Sequence, residues 1–260
     1  MKDPEYVVAD PTGNITVLVT NEYSPEERPV LSEKLCRDIP DCEQVGFITN
    51  GTDGADICLN MAGGEFCGNA TMSAAAFFAA GKGIEQDREI SVSVRTSGTR
   101  DLVKVNIRRT GENKYDGSVT MPVPFSADPV KLMYNGKTYD IAVVKFEGMY
   151  HAIIEESDLT REDAEKAVVK WAQDLGAKGM GIMFVDEERM TLTPIVYVPA
   201  LGEFYWEHAC ASGTTATGYY FYKKYSKPVK MEFKEPGGTL GINVNEKGIP
   251  VLSGTVSFRE

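Results

Sequence analysis

The sequence predicts an α+β fold in which a mostly antiparallel sheet dominates and helices are few. Short apolar or alternating runs bounded by turn residues recur along the whole chain, and this is the pattern of strands. Helix start signals stand at only a few places. Strands that are not separated by regular helical segments favour antiparallel pairing over a parallel, doubly wound sheet.

Taken in order, the predicted strands share period-two or continuously apolar character. They are Ile15–Val19, Gln44–Ile48, Ile90–Val94, Val103–Ile107, Ile141–Val144, Ile182–Val185, Thr191–Val198, Val229–Phe233 and Gly254–Phe258.

Four helices are predicted from local start and stop signals. Ser24 followed by Pro25 has the form of an N-cap with proline in the first turn. Thr160 is a candidate cap for a helix that ends near Gly176. Two further helices, rich in small residues, are predicted to begin after Cys67 and Cys210.

Composition excludes several classes of function. The chain has 260 residues, with 27 Lys and Arg against 38 Asp and Glu, so the formal net charge is −11. Nucleic acids and anionic membranes are bound through clustered basic residues, so we expect neither as a partner. No apolar run approaches a membrane span and the start lacks a secretion signal, so we expect a cytoplasmic protein.

Five cysteines, an odd and low number, predict reduced thiols rather than a disulfide framework. Because CxxC and HExxH motifs are absent from the sequence, we expect no metal site. The sequence also contains no recognisable cofactor motif, so we expect no cofactor.

A faint internal duplication is the most informative feature of the organisation. Segments at Gly13, Cys67 and Ser97 are echoed in the same order about 140 residues later, at Gly148, Cys210 and Gly237. Small differences between the offsets are what two copies with loop insertions would show.

Each copy places a cysteine before a run of small residues that suits a closely packed helix. The N-terminus of a helix stabilises anions, so it lowers the pKa of a thiol and also forms a pocket for a carboxylate. Two such thiols on opposite faces of a substrate suit stereoinversion, since one removes a proton and the other delivers one. We therefore predict that Cys67 and Cys210 are catalytic.

Simpler interpretations remain open at this point. A free cysteine is most often a small buried residue, and this is our expectation for Cys36, Cys42 and Cys58. A cysteine hydrolase would need a histidine base, but His208 stands only two residues before Cys210. An amino-acid-binding protein without catalytic activity is the third possibility.

The chain resembles the diaminopimelate epimerase superfamily of cofactor-independent racemases. Gly13-Asn14, Cys67–Ala70, Ala209–Thr214 and Pro236–Gly238 carry this resemblance, which spans nearly the whole chain. The segments Pro11–Val19, Cys42–Ile48, Gly64–Ser73 and Trp206-Glu207 are most similar to its histidine racemase branch.

This resemblance implies two pseudo-symmetric domains, each a mostly antiparallel sheet curled around a central helix, with the active site between them. We expect domains at residues 1–124, carrying Cys67, and 125–260, carrying Cys210, with the last strand allowed to cross back to the first domain. The expected assembly is a monomer or a homodimer.

The expected substrate is a small amino acid. Its α-carboxylate, α-ammonium or distal group is expected to contact a set of polar and small residues next to the two cysteines. These are Asn14, Glu43, Gly68, Asn69, Glu207, Ala211, Ser212 and Gly213.

Histidine is the favoured substrate because the chain departs from the diaminopimelate pattern. The epimerases carry a Glu-Arg pair shortly before the second cysteine, where this chain has Pro199–Gly202, and Gly-Asn-Pro-His where it has Gly148–His151. The missing arginine is the residue type that binds a distal carboxylate. Diaminopimelate or another small amino acid remains the alternative substrate.

Overall fold

The computed structural model describes residues 2–200 and 202–259, and within them the chain forms four helices and sixteen strands in an α+β arrangement. The chain folds into two compact units. The first unit consists of two segments, the chain up to Thr120 and the chain from Leu252 onward. The second unit is Met121–Val251.

The first unit is a closed sheet. Its strands are β1 (Tyr6–Pro11), β2 (Thr16–Val19), β3 (Gln44–Asn50), β4 (Ile57–Met61), β5 (Glu89–Thr96), β6 (Val103–Gly111), β7 (Lys114–Thr120) and β16 (Pro250–Phe258). They follow one another in that order, and β16 also pairs with β1, which closes the barrel. From β1 to β7 the pairing is antiparallel except between β2 and β3 and between β4 and β5, and β16 pairs with β1 antiparallel. Closure leaves this sheet without a free edge.

Helix α2 (Gly68–Gly81) packs against strands all around this barrel, namely β1, β2, β4, β5, β6 and β7. All its residues from Gly68 to Ala76 are buried, as expected of a helix that strands surround on every side. Small residues let the strands approach closely. A Cβ atom on Gly117 of β7 would stand 3.2 Å from Met72 Sδ and from Ile107 Cδ1.

Helix α1 (Arg28–Asp38) covers the outer side of β3, and its predicted start at Ser24 is wrong. Glu27 N–H donates to Ser24 C=O, and the Glu27 carboxylate accepts from Ser24 N–H. Ser24 therefore closes a turn, and the helix begins four residues later with Pro29 in its first turn.

The expectation that all five cysteines are reduced is also wrong. Cys36 and Cys42 form a disulfide. After α1 ends, Cys42 N–H donates to Ile39 C=O, and Asp41 takes a positive φ of 59°. This turn brings the two cysteine Cα atoms to 4.8 Å.

The second unit is built on an open sheet with helices on both faces. Its strands are β8 (Ser126–Tyr134), β9 (Lys137–Phe146), β10 (Met149–Ile154), β11 (Met180–Asp186), β12 (Thr191–Val198), β13 (Glu203–Trp206), β14 (Val229–Glu235) and β15 (Gly238–Val244). The order is β15-β14-β12-β11-β10-β9-β8, with β13 paired to β12. Strands β10 and β11 pair in parallel, as do β12 and β14, whereas the pairs β8–β9, β9–β10, β11–β12, β12–β13 and β14–β15 are antiparallel.

Alternation along β10 assigns its residues to the two faces. Ala152 and Ile154 pack under α3 (Arg161–Leu175), whereas Ile153 packs under α4 (Ala211–Tyr225). Trp171 fills the α3 side and is fully buried. The predicted start and end of α3 are confirmed, because Thr160 Oγ1 accepts from Asp163 N–H and Gly176 ends the helix in a left-handed conformation.

None of the described helices is long and apolar enough to cross a membrane.

Candidate active site

Helix α2 begins at Cys67, as the sequence predicted. Cys67 has extended backbone angles, φ −128° and ψ 116°, and its Sγ accepts from Ala70 N–H at 3.4 Å. Thr71 Oγ1 donates to Cys67 C=O at 2.6 Å and reinforces the first turn. The sulfur therefore occupies the N-cap position, where the helix dipole and the N–H group of Ala70 favour a negative charge.

Gln44 holds the thiol of Cys67 from the neighbouring strand. Cys67 Sγ lies 3.0 Å from Gln44 Oε1, and Gln44 Nε2 donates to Asn14 Oδ1 at 2.6 Å and to Thr16 Oγ1 at 2.8 Å. Because both amide N–H groups have acceptors, the orientation of the amide is fixed. Its oxygen therefore faces Cys67 Sγ and can accept from the thiol whenever Cys67 is protonated.

Asn14 joins this group to Glu43 and Asn69. Asn14 Oδ1 also accepts from Asn69 Nδ2 at 3.0 Å, and Asn14 Nδ2 donates to Glu43 Oε2. Asn14 and Asn69 are buried. A tight turn before Asn14 directs its side chain toward Gln44, Glu43 and Asn69. In this turn Gly13 has φ 87°, and its N–H donates to Asp10 Oδ1 at 2.6 Å.

Helix α4 begins at Cys210, whose sulfur caps the helix as the sulfur of Cys67 caps α2. Cys210 Sγ accepts from Gly213 N–H at 3.3 Å, and Thr214 Oγ1 lies 2.9 Å from Cys210 C=O. Ser212 Oγ stands 3.6 Å from the sulfur. A Cβ atom on Gly213 would stand 2.2 Å from Met183 Sδ and 3.1 Å from Cys210 Sγ, so a larger residue there would have to displace the Met183 side chain.

The charge around Cys210 favours its neutral form. Burial raises the pKa of the Cys210 thiol well above its usual value, and the charge of Glu207 and a hydrogen bond with Glu207 raise it further. The charge of Glu235 acts in the same direction when that carboxyl group is ionised. The hydrogen bond with Ser212 opposes these effects. Cys210 is therefore a thiol near neutral pH and can act as an acid.

Ser212 is oriented by a buried histidine on β10. His151 Nε2 lies 3.0 Å from Ser212 Oγ, and burial lowers the pKa of His151 to about 3. There is room for the ring because its partner in the β10–β11 ladder is Gly181, where a Cβ atom would stand 2.4 Å from His151 Nδ1. His151 therefore orients Ser212 and does not carry charge.

The structure distributes the predicted site residues over two groups. Asn14, Glu43, Gly68 and Asn69 lie around or directly after Cys67. Glu207, Ala211, Ser212 and Gly213 lie around or directly after Cys210.

Sequence reasoning missed three polar residues that complete these groups. Gln44 opens an otherwise apolar strand, and Glu235 stands between a strand and the Pro236–Gly238 turn, so a polar residue in an apolar context was the available signal. Thr214 gave no such signal, because threonine is common in this helix.

Among the described residues, no three His, Cys, Asp or Glu side chains are grouped so that they could hold a metal ion.

Comparison with known families gives one match over almost the entire chain. The family model described as the histidine racemase CntK N-terminal domain matches residues 4–253. A histidine racemase of Fusobacterium nucleatum subsp. nucleatum is 32% identical over 246 residues, covering 91% of this chain and 88% of that protein. A histidine racemase of Staphylococcus aureus is 30% identical over 245 residues, covering 91% and 86%.

Solved structures share the fold at low sequence identity. A probable proline racemase from Agrobacterium radiobacter K84 has a TM-score of 0.70 at 12% identity, covering 99% of this chain and 92% of that one. A predicted epimerase from Pseudomonas aeruginosa has a TM-score of 0.69 at 12% identity, covering 99% and 98%.

Proposed function

The chain belongs to the histidine racemase family, and from this premise we propose that it interconverts L- and D-histidine with Cys67 and Cys210 as its two acid–base groups. The observation that carries the proposal is the shared position of the two cysteines. Each is the N-cap of a buried helix, and each sulfur accepts from the backbone N–H three residues further on.

In the proposed reaction, one cysteine as thiolate removes the Cα proton of the substrate. The other, as thiol, delivers its proton to the opposite face of the same carbon. After one turnover the two sulfurs have exchanged protonation states, so the protein is then ready for the reverse direction. Since Cys210 is held as a thiol by Glu207 and by burial, we assign Cys210 the acid role in the resting protein.

Neighbouring groups would stabilise both protonation states. Ala70 N–H and Gly213 N–H donate to the sulfurs and favour the thiolates. Gln44 Oε1 accepts from Cys67 when that residue is protonated. The aligned amides after each cysteine also suit the α-carboxylate of an amino acid.

Histidine fits the acidic residues of both groups. Glu43, which accepts from Asn14, and Glu207, which interacts with Cys210, offer acceptors for an ammonium or an imidazole N–H. The residues before Cys210, Pro199–Gly202, contain no arginine for a second carboxylate.

We also propose that the two units arose by internal duplication. The order β1-β2-α1-β3-β4-α2 in the first unit is repeated as β9-β10-α3-β11-β12-α4 in the second, where β13 is inserted between β12 and α4. Strand pairs β2–β3 and β10–β11 are both parallel, and each follows an antiparallel pair. These matches support the proposal that each copy contains one central helix, α2 or α4, whose N-cap cysteine is catalytic. Cytoplasmic location and the choice between monomer and homodimer stay predictions of the sequence.

Proton exchange in D2O tests the proposed function directly. The protein is incubated with each L-amino acid and with diaminopimelate, while NMR follows the Cα proton and chiral chromatography follows the enantiomers. We expect L-histidine to lose its Cα signal and D-histidine to accumulate. A higher kcat/KM for diaminopimelate would contradict the substrate assignment, and binding of histidine without exchange would show a binding protein.

Glu207→Gln should weaken histidine turnover far more than it weakens the fold. We expect kcat/KM to fall by about tenfold or more, because hydrogen bonds to a charged partner contribute about 1.5–3 kcal/mol. Removing this charge also lowers the pKa of Cys210. The control is Glu188→Gln, an exposed glutamate of the same unit. Equal racemisation by the two variants would exclude Glu207 from the site.

A further inference from the structure

Glu235, the last residue of β14, is a buried carboxyl group that the proposed reaction leaves unused. Its side chain lies beneath the start of α4. Glu235 Oε2 accepts from Cys210 N–H at 2.8 Å, and Glu235 Oε1 forms a hydrogen bond with Thr214 Oγ1. Gly237 N–H donates to His208 C=O at 2.7 Å, which ties the chain after Glu235 to the chain before Cys210.

Counting protons shows which form of Glu235 fits these contacts. The hydroxyl of Thr214 has one proton, yet Thr214 Oγ1 lies within hydrogen-bond distance of both Cys210 C=O and Glu235 Oε1. A carbonyl oxygen can only accept. Both bonds are complete at once when Glu235 is a carboxylic acid, since its O–H then donates to Thr214 and Thr214 donates to Cys210.

The surroundings of Glu235 agree with the proton count. Burial raises the pKa of Glu235 to about 8, and the charge of Glu207 acts in the same direction. In the ionised form, hydrogen bonds donated by Thr214 and by Cys210 N–H oppose this increase without cancelling it. Cys210 on α4 and Glu207 before it are the titratable groups that face Glu235, and the described salt bridges give Glu235 no cationic partner.

We propose that Glu235 is a positioning residue that carries a proton in the active protein, and that as a neutral acid it fixes the backbone of Cys210 without adding a charge beside the thiol. This rests on the proposed role of Cys210 as an acid–base group. Ionisation would leave the Thr214 proton shared between two acceptors. It would also place a second carboxylate, besides that of Glu207, next to the sulfur, so that Cys210 releases its proton less readily.

The consequence appears in alkaline solution. Above about pH 8 Glu235 ionises, and racemisation should decline because Cys210 becomes a weaker acid. The variant Glu235→Gln keeps the two hydrogen bonds, since its amide oxygen accepts from Cys210 N–H and its amide N–H donates to Thr214. It cannot ionise, so it should lack this alkaline decline.

Two measurements on the full chain test the proposal. First, kcat/KM for histidine is measured from pH 7 to pH 9.5 in the unchanged protein, in Glu235→Gln and in the control Glu232→Gln, an exposed residue of the same strand. The ratio of Glu235→Gln to the unchanged protein should rise about tenfold, which corresponds to one pKa unit. The ratio for Glu232→Gln should stay constant.

Second, infrared difference spectra should show a protonated carboxyl band at pH 7 in the unchanged protein. This band should be missing from Glu235→Gln and should fade in the unchanged protein as the pH rises above 8. A constant activity ratio or the absence of this band at pH 7 would overturn the proposal. If no variant racemises any amino acid, the proposed function fails, while the infrared band still decides whether Glu235 holds a proton.

Discussion

Replacing Cys67 or Cys210 with alanine should abolish racemisation of histidine. General acid–base groups contribute about 100- to 10,000-fold to a rate, and each thiol serves one face of the substrate in the proposed reaction. We therefore expect each single variant to lose activity by at least about a thousandfold. Chiral chromatography of L-histidine incubated with each variant measures the loss.

The fold should survive both substitutions. Each sulfur accepts one backbone N–H at a helix start, and loss of an N-cap bond costs about 1 kcal/mol of unfolding free energy. Urea denaturation followed by circular dichroism should show this small decrease. Cys58→Ala is the matched control, since Cys58 is a buried free cysteine of β4 that caps no helix.

Serine variants separate the contribution of each cysteine to helix capping from its contribution to acid–base catalysis. A hydroxyl at residue 67 or 210 can accept the N-cap hydrogen bond, but its pKa is too high for it to act as a base near neutral pH. We expect Cys67→Ser and Cys210→Ser to recover stability and to remain inactive. Near-normal turnover by any of the alanine or serine variants would contradict the two-base mechanism.

Local chemistry explains which elements could be predicted from the sequence. The helix starts at Cys67, Thr160 and Cys210 were found because a cap and its following residues lie next to each other in the chain. Strand β7 was missed since Gly117 interrupts its apolar alternation. Gly117 leaves room for Met72 of α2, and this proximity is visible only in the tertiary structure.

The same limit applies to the site. Cysteines and glycine-rich helix starts are adjacent in the sequence, so the sequence could predict one group of polar residues around each cysteine. Gln44 and Glu235 act across 23 and 25 residues respectively, and their partners depend on which strand ends lie beside which helix. The disulfide was missed for a related reason, since it depends on the turn that follows α1 rather than on the number of cysteines.

Gly98 should be the glycine whose substitution most affects the start of α2. It has φ +74°, and a Cβ atom there would stand 2.1 Å from the backbone nitrogen of Phe66, the residue before Cys67. Ser97 Oγ donates to Glu65 C=O at 2.7 Å and accepts from Met61 N–H at 2.9 Å, so this loop holds the approach to Cys67. An added methyl group must displace backbone rather than a flexible side chain.

The expected result is that Gly98→Ala destabilises the protein by about 3 kcal/mol or more, since strained backbone and steric overlap are combined. Gly136→Ala is the matched control, because Gly136 has the same φ of +74° and no atom within 4 Å of the added Cβ. Only the left-handed backbone penalty of about 1–2 kcal/mol applies there. Urea denaturation of both variants measures the difference.

Racemisation should respond in the same direction. A displacement of about 1 Å can cost about 100-fold in rate, so folded Gly98→Ala should lose most of its kcat for histidine, while Gly136→Ala keeps it. If Gly98→Ala does not fold and Gly136→Ala does, the steric part of the argument holds. Equal losses of stability in the two variants, with full turnover by Gly98→Ala, would show that the Gly98 loop does not position Cys67.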